Sequence, residues 1–110
     1  MGDREKRIGR NEALFREVNE RIERISATLQ VSNERLKILC ECGVPTCLEQ
    51  LDVPTSEYER VRADPTLFMI RPGHEHADLE EVVERHEGYH VVRKVAGDAA
   101  QIARELDPRN

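Results

Sequence analysis

Cys40, Cys42 and Cys47 are the residues best able to do chemistry in this chain, and they are its only cysteines. They stand together in Cys40-Glu41-Cys42-Gly43-Val44-Pro45-Thr46-Cys47. Thiolates are soft ligands, and zinc takes them in tetrahedral sites. Gly43 permits the backbone turn that brings Cys47 back towards the other two. Isolated cysteines are packing residues, but these are clustered around a Gly-Pro turn where packing alone would not put them. The pattern predicts a metal knuckle holding zinc. A redox-active thiol set and purely structural thiols are the competing readings. The spacing C-x-C-x4-C differs from the commoner C-x2-C, so it is moderately specific.

A closed tetrahedral site needs a fourth ligand. His74 is the first choice, because it ends the turn Arg71-Pro72-Gly73 directly after the apolar run Thr66–Ile70, where a side chain can be aimed. His76 is the second choice, and His86 and His90 belong to a different hairpin. Catalysis is not expected. A catalytic zinc keeps one position open for water and needs a base beside it. His74-Glu75-His76 is not the H-x-E of zinc deaminases, and their P-C-x-x-C partner is missing. The sequence holds no H-E-x-x-H, Walker loop, G-x-G-x-x-G or G-x-S-x-G.

These residues need elements to position them. Leu36–Cys40 reads as a strand with Leu36, Ile38 and Cys40 on one face, and Cys47–Val53 as its hairpin partner, with the thiols at the tip. Pro54 precedes a short helix, Ser56 to about Ala63. Ser56 and Glu59 form a capping box there, Thr55 is an equally fair cap, and Asp64-Pro65 ends the helix. Thr66–Ile70 lacks alternation and suits a central strand buried on both faces. Leu79–Arg85 and Tyr89–Val95 flank the turn His86-Glu87-Gly88. A last helix spans Ala99–Leu106 with Asp98 as cap.

Upstream, Asn11 caps a helix over residues 11–29 in which Phe15, Val18, Ile22, Ile25 and Leu29 recur at 3, 4, 3, 4 spacing. That seam either covers the protein's own sheet or pairs with the same helix of a second copy as a homodimer. Residues 1–10 read as a flexible basic arm, since Arg4, Lys6, Arg7 and Arg10 outnumber Asp3 and Glu5. The expected architecture is α+β: a single zinc-binding domain over 11–110, with a long N-terminal helix, a small, mainly antiparallel sheet of about five strands carrying the Cys-rich hairpin, and a C-terminal helix.

With 110 residues, no Trp, two Phe, two Tyr and 35% charged residues, the core is small, which is where a structural metal adds most. The net charge of −5 argues against broad nucleic-acid binding. DNA binding by a dimer through its basic arms is the weakest reading. The first ten residues are polar and no apolar run reaches membrane-spanning length, so a cytoplasmic protein with reduced thiols is expected.

Phe15-Arg16-Glu17-Val18-Asn19-Glu20-Arg21-Ile22, then Cys40-Glu41-Cys42 with Cys47, then Glu57-Tyr58 and Arg62, then Pro72-Gly73-His74 resemble the motif order of a group of small, uncharacterised bacterial proteins. The resemblance runs from Asn11 to Lys94. It implies no activity, and it favours His74 over His76 as fourth ligand. The functional expectation is a zinc-stabilised, non-catalytic interaction or regulatory module with an unidentified protein partner. The alternative is a thiol-based redox or metal sensor.

Overall fold

The computed structural model describes residues 2–28, 34–95 and 97–109. The chain is α+β. Helix α1 (Gly2–Thr28) is followed by β1 (Arg35–Leu39), β2 (Gln50–Pro54), α2 (Thr55–Arg62), β3 (Leu67–Ile70), β4 (Glu80–His86), β5 (Tyr89–Lys94) and α3 (Asp98–Glu105). All strand pairings are antiparallel. The five strands do not form one sheet, as the sequence suggested. They form a β1–β2 ribbon and a separate sheet in the order β3-β5-β4.

The β1–β2 hairpin is the expected one. Its register pairs Leu39 with Gln50, so the loop between them carries the cysteines. Leu36, Ile38, Leu51 and Val53 are buried on one face while Arg35, Lys37, Gln50 and Asp52 alternate outward. In β3 all four residues are buried, as a two-sided strand should be, although β3 lies at the edge of its sheet. Its free edge is covered by α1 and by the segment after β1.

That arrangement explains how α1 is turned. One of the two expectations had the a/d seam facing the protein's own sheet. Instead the helix buries Glu12, Ala13, Arg16, Asn19 and Glu20. Beneath it lie strand edges with unpaired backbone groups, and buried backbone groups must be hydrogen-bonded. Arg16 donates from one guanidinium nitrogen to Pro65 O (2.8 Å) and from another to Leu67 O. Its guanidinium also stacks 3.6 Å from the Phe68 ring centroid. Asn19 acts as a strand partner for Leu39: it accepts from Leu39 N (2.8 Å) and donates to Leu39 O (2.9 Å). Polar side chains therefore fit this interface better than apolar ones. Lys94 of β5 joins the same layer between Glu12 and Glu80, with all three side chains buried.

The apolar stripe is left on the flank. Phe15, Val18 and Ile22 are half-buried, while Leu14 is 54% and Ile25 58% exposed. Leu29, the last seam position, lies outside the described residues. The helix also starts earlier than expected. Asn11 sits mid-helix with its amide bonded to Gly43 O (3.0 Å), and α1 runs back to Gly2. Residues 2–10 are thus part of the domain and not a separate arm. Ile8 is buried, Gly9 lies against Ile102 of α3, and Arg4 pairs with Asp78. The helix caps differ too. Neither α2, which follows Pro54, nor α3, which follows Gly97, has a side-chain cap hydrogen bond. No helix among the described residues is long and apolar enough to cross a membrane.

Candidate metal centre

Cys40 directly follows β1, and Cys42 lies two residues on, its side chain on the same side. A turn closed by Cys47 N to Val44 O (2.9 Å) returns Cys47 to them. After β3, the turn Arg71–His74 is closed by His74 N to Arg71 O (3.0 Å), with Gly73 at a φ of 91°. It swings His74 over the thiols. Its Nδ1 stands 3.6 Å from Cys40 Sγ and 3.5 Å from Cys47 Sγ. The four ligand atoms of Cys40, Cys42, Cys47 and His74 all lie within 4.8 Å of one another, close enough to hold a metal ion. Cys40 and Cys42 are buried, and Cys47 and His74 half-buried.

The chain around the thiols is arranged to support negative sulfur. The backbone N–H of Arg71 donates to Cys40 Sγ (3.2 Å). Val44 N–H does the same for Cys42, and Glu49 N–H for Cys47. Hydrogen bonds to an anion favour the anion. Three sulfurs this close nevertheless cannot all ionise without a cation between them. The hydrogen bond from the Cys40 thiol, with smaller help from Val44 N–H, His74 and Cys47, brings Cys42 down to about 4 against the cost of burial. Cys40 is pushed up by that same hydrogen bond and by burial, and Cys47 is raised by burial. A divalent cation held between the sulfurs would favour the thiolate form of all three.

Glu41, between the first two cysteines, points the opposite way and is fully buried. Its carboxylate accepts from Met69 N (3.0 Å) and from Asn19 Nδ2 (2.8 Å), and its own N–H donates to Met69 O (2.9 Å). It therefore fastens the cysteine segment to β3, the strand that leads to His74, and to α1. Gly43 completes the seat. At its φ of 77°, a Cβ would lie 2.7 Å from Glu12 Cγ and 2.9 Å from Ile8 O. Only glycine allows this approach of the knuckle to α1.

His76 is not in the group. Its Nε2 is 2.6 Å from Cys42 O, so it braces the knuckle from behind. His86 and His90 sit on β4 and β5, outside this group. His86 belongs to a second close group with Glu57 and Glu84. There Arg60 already bonds both carboxylates, Glu57 at 2.8 Å and Glu84 at 2.6 Å, so the group is an ion-pair network. Sequence reasoning missed Glu41, Asn19 and the Glu12–Lys94–Glu80 triad. Glu12, Arg16, Asn19 and Glu20 do recur at helical spacing, which was a signal, but one that reads equally well as a solvated face. Comparison with known protein families, with curated proteins and with solved structures finds no match to this chain.

Proposed function

We propose that this chain is a zinc-stabilised, non-catalytic interaction or regulatory module, with one Zn²⁺ held by Cys40, Cys42, Cys47 and His74. One observation carries the reading: the distances between sulfur and nitrogen. Tetrahedral zinc with bonds of about 2.3 Å to sulfur and about 2.0–2.1 Å to nitrogen separates the two donor types by about 3.5–3.6 Å. Cys40 and Cys47 stand at 3.6 and 3.5 Å from His74 Nδ1. Four such donors fill the tetrahedral shell and leave no position for water, which suits a structural ion. Three thiolates also supply so much electron density that the ion would be a weak Lewis acid.

A second reading, thiol-based redox or metal sensing, draws on Cys47, which is only partly covered by protein. Elemental analysis of protein purified under reductant without added metal tests the first reading, with about one zinc per chain expected. Folded protein without metal would contradict it. Release of zinc by mild oxidation, reversed on reduction, would favour the sensor.

A further inference from the structure

We infer that the exposed apolar stripe of α1 is the interface of a weak antiparallel homodimer. This goes beyond the metal reading and does not depend on it. Leu14 and Ile25 stand exposed because the helix spends its opposite face on polar contacts to strand edges, while Phe15, Val18 and Ile22 between them are half-buried. Exposed apolar residues aligned along one helix face mark an interaction site more often than scattered single residues do.

The occupant follows from the order of residues along the stripe. Its two most exposed members, Leu14 and Ile25, lie at opposite ends. An antiparallel two-fold between Val18 and Ile22 sets Leu14 of one copy against Ile25 of the other, at both ends at once. That is the self-complementarity that a two-fold interface requires. Charge agrees within a residue of the same register. Glu17 and Arg21, 48% and 65% exposed at the margin of the stripe, bond to each other at 3.1 Å within the chain. Across the two-fold, each is brought beside the other's counterpart.

The size of the contact sets its strength. Leu14 to Ile25 spans about 17 Å of helix. That length covers less than the roughly 800 Å² per partner of a stable complex, so a dissociation constant on the order of 10 µM is expected.

Sedimentation equilibrium of the full, metal-bound chain tests this over about 1–200 µM, the range in which weak interfaces show. Wild type should dimerise. Leu14→Glu and Ile25→Glu alter residues already exposed in the monomer, so both should stay folded by circular dichroism. Each should weaken the dimer at least about 30-fold, because a charge would be buried unpaired. Glu17→Arg or Arg21→Glu alone should weaken it about 2- to 5-fold, as exposed pairs do, and the double exchange should restore it. A wild type that stays monomeric throughout overturns the proposal and leaves the stripe to a different protein. So does an Ile25→Glu variant that dimerises as well as wild type. Zinc content, measured separately, does not enter either outcome.

Discussion

Glu41 sits between two thiols and looks like surface charge in the sequence, yet its carboxylate is the joint between the cysteine segment, β3 and α1. Glu41→Ala would leave Met69 N–H and an Asn19 N–H buried without partners, at a cost of about 1–3 kcal/mol each. Chemical denaturation should therefore show a loss of a few kcal/mol, and competition with a chelator should show weaker metal binding. Unchanged metal affinity would mean that Glu41 does not position the ligands. At the other end of the site, His74→Ala should lower metal affinity far more than His76→Ala, since the His76 ring bonds the Cys42 carbonyl and lies outside the group of four ligands. Equal losses would remove His74 from the ligand set. The clustering of the thiols was legible because three cysteines around one turn have few places to go. The role of Glu41 was not, because alternation along the strand reverses its direction relative to Cys40 and Cys42, and nothing in the sequence says what lies on that side.

The elements were legible in type and, apart from the start of α1, nearly in extent, because alternation in β1 and β2, the unbroken apolar run of β3 and the turn around Gly88 are local signals. The orientation of α1 was not local. Its seam spacing fits burial against a sheet face, but what lies beneath is two strand edges, and edges need hydrogen-bond partners. The charged layer under the helix makes a strong test. Lys94→Ala would leave Glu12 and Glu80 facing each other without a cation and should cost about 3–5 kcal/mol in chemical denaturation. A loss below about 1 kcal/mol would mean that the layer is open to water. Burial holds the Glu12 carboxyl well above the ordinary value of 4.5, against the pull of Lys94. A raised native value means that protonation favours the folded state. The associated stability is present below pH 4.5 and is lost as pH rises through the native value. The stability of Glu12→Gln relative to wild type should therefore improve as pH rises from 4.5 towards neutrality. A constant difference would contradict the burial of Glu12.

In the whole molecule a metal ion on these four ligands would staple two separate sheets together. Three of its ligands sit on the β1–β2 hairpin and the fourth follows β3, 34 positions beyond Cys40 and 27 beyond Cys47. A small core carrying 35% charged residues gains most from such a cross-link. Metal binding to zinc peptides contributes on the order of 10 kcal/mol of apparent folding free energy. Cys42→Ser should accordingly leave the chain largely unfolded at ambient temperature by near-ultraviolet circular dichroism, and strong chelators should do the same to wild type. An α+β fold could be read from composition and pattern. Its division into two sheets could not, because it depends on Glu41 and Arg16 taking the place of a continuous ladder along β3. Zinc X-ray absorption of the purified protein reads the proposed ligand set at the metal itself. A first shell of three sulfurs at about 2.3 Å and one nitrogen at about 2.0–2.1 Å is expected, with the nitrogen contribution lost in His74→Ala. A shell of oxygen and nitrogen alone, four sulfurs, or wild-type spectra in His74→Ala would contradict it.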